Sequence, residues 1–438
     1  MKTVALYTLG CKVSQYETQA IAEGFEARQF RVVPFTEKAD VYVVNTCTVT
    51  AESDRKSRQI IRRAHKQNPD AVILVTGCYS QVSPDEVIKL PGVAYVGGTD
   101  RKMKLPAAAE TLLLQKEQGI AVSPFCDSSP LLDTKFEKMT VKHAPRTRAY
   151  VKIEDGCECR CAYCAIPGAR GGVRSKAPED VLAEVTDLVS RGTVEIVLTG
   201  IEIASYGADL DGFRLIDLLE LLDRECKGVR FRLGSITPEI MREEFVTRIA
   251  ALSSIVPHFH ISMQSGSDAI LRGMRRRYTA DMALAALDRL RAAIKGVRFT
   301  TDMMTGFPGE GEKEFAETLA FTEKASFLDM HVFAYSKRKN TPAAVLPDQV
   351  EESVKKERSA ILIALASRLR DENLDDIIEK REPLSVLFET REGDEMHGHS
   401  AEFAEVRVKT NEALHGVVRR VLPTKRENGI LYGELLND

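Results

Sequence analysis

No stretch of this 438-residue chain is apolar for long enough to cross a bilayer, since a membrane helix needs about 20 consecutive apolar residues. The opening residues, MKTVALYTL, carry no pattern of a cleavable export signal. Neither sign of charge is in large excess. The formal net charge is −3, so contact with nucleic acid must come from local basic patches and not from the field of the whole molecule. A GxxxxGK phosphate loop and an HExxH zinc motif are both missing, which leaves nucleotide hydrolysis and zinc proteolysis without a sequence basis. No internal repeat or low-complexity segment stands out. With 44% hydrophobic residues, the chain reads as globular and cytoplasmic, without membrane contact, and long enough for two or three domains.

What the chain does have is patterned cysteine. Six of its nine cysteines form two sets of three. One set is compact: Cys157, Cys161 and Cys164 in VKIEDGCECRCAYCAIP. The other is spread out: Cys11 in LYTLGCKVSQYET, Cys47 in VVNTCTVT and Cys78 in LVTGCYS. Without an export signal these read as reduced, metal-binding thiols and not as a disulfide framework. Three thiolates are one short of the four that close a zinc site or a fully ligated cluster. Each triple therefore suggests a centre with one open position. Three thiolates on a loop after a strand can hold three irons of a 4Fe–4S cluster. S-adenosylmethionine can chelate the fourth iron through its amine and carboxylate, and its reductive cleavage then gives a carbon radical. Tyr163, the aromatic before the last cysteine, fits such a loop and is a candidate cofactor contact. The competing reading of the compact run is a zinc knuckle that recruits Cys159. For each member of the spread triple it is an ordinary buried core cysteine.

Periodicity divides the chain into three blocks. From residue 1 to about 126, short apolar strands (4–9, 41–45, 71–76, 93–96) alternate with helical stretches (16–29, 53–66), as in a parallel α/β sheet. All three cysteines of this block fall just past the carboxyl end of a strand, where open α/β sheets place their ligands. A hydrophilic linker is expected over 127–148. The second block repeats the alternation six times, with strands over 150–154, 194–198, 229–233, 258–262, 297–302 and 330–335 and helices such as 178–191 and 280–294. Six βα units predict a barrel or partial barrel with functional residues at the strand ends. A long charged helix over 351–380 leads to SVLFET, AEVRVKT, HGVVRRVL and GILYGEL, which predict a small β-barrel.

Thr199 and Gly200, Ser235 after Gly234, Gln264, and the run Gly306 to Glu310 all fall at barrel strand ends and are candidate S-adenosylmethionine contacts. Glycine suits a close backbone approach. For RNA, Arg55, Arg58, Arg62 and Lys66 recur at helical spacing, flanked by Lys56 and Arg63, with Ile60, Ile61 and Ala64 on the other face. Arg272, Arg275, Arg276 and Arg277 form a second basic run. Arg407, Lys409, Arg419, Arg420, Lys425 and Arg426 form a third. A solvated helix or strand face is the alternative for each.

The stretches TLGCKVSQYET, ADVYVVNTCTVTAESDRKSRQIIRRA, VTGCYSQ, RAYVKIEDGCECRCAYCAIPGARG, HFHISMQSGSDAILRGMRRRY, TTDMMTGFPGE and HVFAYSKRKNTPAA closely resemble the radical-SAM methylthiotransferases over nearly the whole chain. The wording around Cys11 and Cys47 resembles the branch acting on N6-threonylcarbamoyladenosine 37 of tRNA. The resemblance implies a flavodoxin-like N-terminal domain (1–126), a radical-SAM partial (βα)6 TIM barrel (143–375) and a C-terminal TRAM β-barrel that binds RNA (376–438). It implies two 4Fe–4S clusters. Cys11, Cys47 and Cys78 match the one whose open iron carries the sulfur to be transferred. Cys157, Cys161 and Cys164 match the catalytic one that cleaves S-adenosylmethionine. One S-adenosylmethionine would donate the methyl group and another the 5′-deoxyadenosyl radical that takes hydrogen from C2 of the adenine. The partners implied are tRNA and an electron donor that the sequence does not identify. Related branches act on another modified adenosine or on an aspartate of a ribosomal protein, and a non-catalytic iron–sulfur or zinc RNA-binding protein is the alternative of a different class. The chain departs from the usual family wording at Ser14, Cys159, Gly168 and Gly172, and none of these removes a ligand.

Overall fold

Central strands of a parallel sheet are buried on both faces and so read as unbroken runs of β-branched residues. Val41–Thr46 and Val72–Gly77 have every residue buried. In a computed structural model, which describes residues 1–131, 134–143 and 147–437, they are the middle of the first block. Its strands are β1 (Thr3–Thr8), β2 (Arg31–Val33), β3 (Val41–Thr46), β4 (Val72–Gly77), β5 (Val93–Gly97) and β6 (Phe125–Asp127). All neighbours are parallel and the order is β2-β1-β3-β4-β5-β6. The flavodoxin-like order reverses between β1 and β3, and such sheets bind ligands in the crevice at that switch point. The helix Ala51–Gln67 starts on Thr50, whose side chain accepts from the Ser53 N–H, with Glu52 and Asp54 favourably placed in the first turn.

The linker expected over 127–148 is shorter and more ordered than its composition predicts. Asp127 pairs with Gly97 in β6, and Met139 and Val141 are buried. The Tyr16 hydroxyl donates to the Met139 carbonyl at 2.7 Å. Residues 132–133 and 144–146 of that stretch lie outside the described residues.

The second block begins with β7 (Ala149–Lys152). A short antiparallel pair, β8 (Glu154–Asp155) and β9 (Arg174–Ser175), brackets the compact cysteine loop. Then come β10 (Glu195–Thr199), β11 (Arg230–Leu233), β12 (His258–Gln264), β13 (Arg298–Thr305) and β14 (Asp329–Ala334). These fall into two parallel three-stranded sheets, β7-β10-β11 and β12-β13-β14, joined by the isolated bridges Phe231–Ile255 and Ile236–Ile261. The six strands thus form a partial barrel with a seam. Phe231, Phe259 and Phe299, each buried to 1% exposure or less, belong to its core. Each such side chain is worth about 1.5–3 kcal/mol of burial.

The helix Glu352–Lys380 connects to a closed barrel of β15 (Leu384–Glu392), β16 (Glu395–Ser400), β17 (Glu405–Lys409), β18 (Val418–Glu427) and β19 (Ile430–Leu435), as the TRAM expectation requires. This barrel sits against the amino ends of the partial-barrel strands. Glu195 lies 2.7 Å from Arg148, 2.5 Å from Arg230 and 3.3 Å from Arg232. The same arginines reach across: Arg148 to Glu389, Arg230 to the Ser385 carbonyl, and Arg232 to the Ser400 and Ala401 carbonyls. Among the described residues no helix is long and apolar enough to cross a membrane.

Candidate functional site

Cys11, Cys47 and Cys78 follow the carboxyl ends of β1, β3 and β4, two of them at the switch point of the sheet. Gly77 makes this possible for Cys78. Its φ is +106°, and a Cβ there would stand 2.4 Å from the Thr46 carbonyl oxygen, so a side chain would push β3 and β4 apart just where they deliver Cys47 and Cys78. Cys47 and Cys78 are buried and Cys11 is exposed. Burial pushes the Cys47 thiol up to about 11, against the Val49 N–H. The Cys78 thiol is also raised by burial, although Arg170 and Lys102 pull the other way. Ser14 lies buried near Cys11, with Oγ 3.9 Å from Sγ.

The compact triple lies on the loop between β8 and the helix Ile166–Arg170. Gly156 turns the chain into it with φ +88°, and a Cβ there would lie 1.8 Å from the Gly172 carbonyl. The Ala162 N–H donates to the Met274 carbonyl and the Ala162 carbonyl accepts from the Ala343 N–H, which ties the loop to the mouth of the barrel. Tyr163 packs there with Ile270, Met274, Met304 and Phe307. Burial raises the Cys164 thiol to about 12. Cys159 stands next to Cys157: its N–H donates to Cys157 Sγ at 3.4 Å. Its hydrogen bond with the Cys157 thiol, opposed by burial and helped by Arg276, brings the Cys159 thiol down to about 6. Among the described residues no three His, Cys, Asp or Glu side chains converge as a single-ion site requires.

The donor set suits an iron–sulfur cluster: soft thiolates, none paired in a disulfide, with cationic donors at sulfur. One thiol of each triple accepts from an arginine. Arg276 Nη1 is 3.3 Å from Cys161 Sγ, and Arg170 Nε is 3.3 Å from Cys78 Sγ. Hydrogen bonds to the sulfurs are one of the levers that tune such clusters. Neither arginine–sulfur pair carries a sequence signal. Arg276, expected in an RNA-facing run, lies instead on Cys161, the Ser262 carbonyl and Tyr278. Arg170 stands in the run IPGARG, which has no periodicity to mark it.

Of the expected cofactor residues, Thr199, Gly200, Ser235 and Gln264 stand at or just past the carboxyl ends of β10, β11 and β12. Gly200 lies against Glu154, where a Cβ would be 2.6 Å from Oε2, and Thr199 is buried beside it. Ser235 is exposed at the end of β11. Gln264 ends β12 with φ +71°, a left-handed conformation that a non-glycine residue adopts at a cost of about 1–2 kcal/mol. A cleft of about 460 Å³ is lined by Cys159, Glu202, Thr237, Glu239 and Arg277 among others, and by none of Tyr163, Thr199, Gly200, Ser235 or Gln264. Burial raises the Glu202 carboxyl to about 8, and its Oε1 has no hydrogen-bond partner among the described residues. A second cleft, about 470 Å³, is lined by Thr48, Tyr79, Cys164, Gly168, Arg338 and Lys339 and so borders the loops of both triples. Arg338 spans it, bonding Asp54 at 2.6 Å and Thr48 at 2.7 Å.

The basic runs divide. On the helix Ala51–Gln67, Arg55 pairs with Glu52 and Arg58 donates to the Tyr79 hydroxyl. Arg62, Arg63 and Lys66 are exposed and make no ion pair among the described residues. Arg272, Arg275 and Arg277 are likewise exposed and without an ion pair among those residues. In the C-terminal barrel the run is largely neutralised from within. Lys409 pairs with Asp394, Arg419 with Glu412 and Lys425 with Glu427, while Arg407 faces Glu392 and Glu395. Arg426 ties the barrel to Asp371 and Asp375 of the preceding helix.

Comparison with known proteins agrees with this architecture. Residues 151–322 match the Radical SAM superfamily, and residues 3–98 match an uncharacterized protein family, UPF0004. The chain is 41% identical over 426 residues to the threonylcarbamoyladenosine tRNA methylthiotransferase MtaB of Bacillus subtilis, covering 96% of this chain and 93% of the relative. It is 39% identical to the MtaB of Thermotoga maritima, covering 83% and 81%. Among solved structures, the radical S-adenosylmethionine methyltransferase TsrM of Kitasatospora setae shares the fold with a TM-score of 0.57 at 16% identity, covering 78% of this chain and 77% of TsrM. A three-block chain with two cysteine triples at strand ends, this similar to methylthiotransferases over nearly its full length, is an enzyme of the radical-SAM methylthiotransferase family.

Proposed function

We propose that this enzyme methylthiolates C2 of N6-threonylcarbamoyladenosine at position 37 of tRNA in the cytoplasm, using two 4Fe–4S clusters and two S-adenosylmethionine molecules. The observation that carries the reading is the meeting of the two triples: Arg170, six residues after Cys164, donates to Cys78 of the other triple. Cys157, Cys161 and Cys164 would hold one cluster, and Cys11, Cys47 and Cys78 the other. When bound, the first supplies an electron to cleave S-adenosylmethionine into a carbon radical, and the second supplies the sulfur.

The chain's own residues do the rest. Arg276 fixes Cys161 and keeps cationic charge beside its sulfur. Thr199, Gly200, Ser235, Gln264 and Tyr163 bind and orient S-adenosylmethionine at the barrel mouth. Arg338 closes the wall of the cleft that borders both loops. The exposed Arg62, Arg63 and Lys66 contact tRNA phosphates. The name shared by the Bacillus subtilis and Thermotoga maritima relatives supports the substrate.

Anaerobic reconstitution with iron and sulfide counting tests the reading. About eight irons and 5′-deoxyadenosine formation are expected. Cys11→Ala should leave about four irons and abolish methylthiolation while 5′-deoxyadenosine still forms. A Cys11→Ala protein that methylthiolates normally would refute the role of the spread triple. Mass analysis of nucleosides from cells lacking the protein should show the threonylcarbamoyl nucleoside without its methylthio group, and an unchanged nucleoside profile would overturn the substrate.

A further inference from the structure

Between the two triples lies a cluster of ionisable side chains shut off from water. Arg170 is 0% exposed and Glu17 is 0% exposed; Lys102, Lys152 and Asp155 are each at 3% or less, and Arg174 is at 7%. Three parts of the chain contribute. Glu17 and Lys102 belong to the first block, Lys152 and Asp155 to the first barrel strands, and Arg170 and Arg174 to the segment after the compact loop.

The contacts are dense. Arg170 Nη1 lies 2.5 Å from Glu17 Oε1 and 3.1 Å from Asp155 Oδ2. Its Nη2 lies 3.2 Å from Glu17 Oε2, and its Nε faces Cys78 Sγ. Lys152 bridges Glu17 at 2.9 Å and Asp155 at 2.7 Å, Lys102 pairs with Glu17, and Arg174 stands 3.6 Å from Asp155. Burial opposes charge throughout, yet Arg170, Lys102 and Lys152 together hold Glu17 well below the ordinary carboxylate range.

The charges do not balance. Four cations face two buried carboxylates. Glu137, half-buried at the edge and accepting from the Met103 N–H, still leaves one cation unmatched when it is counted. Burial lowers the Lys102 ammonium despite Glu17, but an unmatched buried charge is costly, so the cluster favours a further anion here. The atom that the surplus points at is Cys78 Sγ, which takes the one guanidinium nitrogen, Nε, that neither Glu17 nor Asp155 engages.

We propose that Arg170 is a positioning residue for Cys78, and that the negative charge of a thiolate-ligated cluster on Cys11, Cys47 and Cys78 completes this buried network. Loading that site and fastening the first block to the barrel then become one linked equilibrium, because binding to the docked form alone stabilises it. Asp155, two residues before Cys157, and Arg170, six after Cys164, carry the coupling to the compact loop. The inference rests on the two-cluster reading.

The test uses the full chain with Cys157, Cys161 and Cys164 replaced by alanine, so that only the spread triple can load. After reconstitution about four irons are expected. Zero irons would refute the two-cluster reading itself. With irons present, hydrogen exchange of residues 12–26 and 102–104 should slow at least roughly tenfold relative to the apo form. Equal exchange in both forms would overturn the coupling while leaving the two clusters standing. In the same background Arg170→Lys, which keeps the charge but loses the fork, should retain iron and shift the midpoint potential of the cluster to a more negative value with altered electron paramagnetic resonance. Arg170→Met should lose most of its iron. A folded Arg170→Met protein with full iron and an unchanged potential would overturn the positioning role. If Arg170→Met does not fold, the lysine variant and the exchange comparison decide.

Discussion

Replacing Glu195 by glutamine should loosen the C-terminal barrel without touching either cysteine triple. Burial alone would raise this carboxyl, but Arg232, Arg230 and Arg148 outweigh burial and hold it at about 2. A carboxyl that titrates near 4.5 when unfolded and near 2 when folded contributes about 3 kcal/mol to the folded state. Removing one side of a buried ion pair costs a similar 3–5 kcal/mol by experience with other proteins. The sign follows from the direction of the shift. The folded value is the lower one, so the stabilisation is complete above pH 4.5 and is lost as pH falls toward 2. In the variant three guanidiniums face each other without their carboxylate, and each also anchors the second barrel through Glu389, Ser385, Ser400 or Ala401. A protein of several blocks need not unfold in one step, so native-state hydrogen exchange of β15 and β16 is the suitable assay. At pH 7 these amides should exchange roughly a hundredfold faster in Glu195→Gln, a factor corresponding to about 3 kcal/mol. The difference should stay constant down to pH 5. An acceleration below tenfold, or a difference that changes between pH 7 and pH 5, would refute the reasoning.

Other substitutions separate the remaining roles. Gly77→Ala forces a side chain into left-handed backbone at about 1–2 kcal/mol and against the Thr46 carbonyl; reconstituted iron should fall to about half, while 5′-deoxyadenosine formation persists. Arg276→Met removes a hydrogen bond to a charged sulfur worth about 1.5–3 kcal/mol, so 5′-deoxyadenosine formation should slow at least roughly tenfold, and an unchanged rate would remove Arg276 from the site. Binding of tRNA should weaken with salt, and the combined change of Arg62, Arg63 and Lys66 to glutamine should flatten the logarithmic slope by about one for each phosphate no longer neutralised. Lys409→Gln with Lys425→Gln should barely alter that slope, because both lysines are already paired.

The central strands of the first sheet are legible in the sequence because buried parallel strands leave nearly unbroken apolar runs, as in Val41–Thr46 and Val72–Gly77. The barrel strands, interrupted by polar residues in β11 to β14, are instead legible from their regular alternation with helices. Short edge strands leave no such trace: β2 and β6 are three residues each. Strand β16, EMHGHS, alternates buried and half-buried residues, but its histidines and glycine carry little strand propensity. The cysteines can be grouped by spacing, whereas the partners of Arg170 and Arg276 cannot. Those pairings join segments up to 153 residues apart, and a buried arginine looks like any surface arginine in sequence. The basic run of the last barrel misleads for the converse reason: composition registers Lys409 and Lys425 but not the Asp394 and Glu427 that neutralise them.

Arg338 closes the wall of the cleft beside Cys47 from a position 290 residues further along the chain than its partner Thr48. During synthesis all three cysteines of the first block, Cys78 the last of them, therefore leave the ribosome long before the residue that closes this cleft exists. The 260 positions from Cys78 to Arg338 take roughly 13–52 s at about 5–20 residues per second. The first block can fold in that interval, but it folds with an open flank. Its thiols meet the cell's oxidants and metal donors before they meet the barrel, so the order of translation sets a window in which cluster delivery must either wait or be guarded.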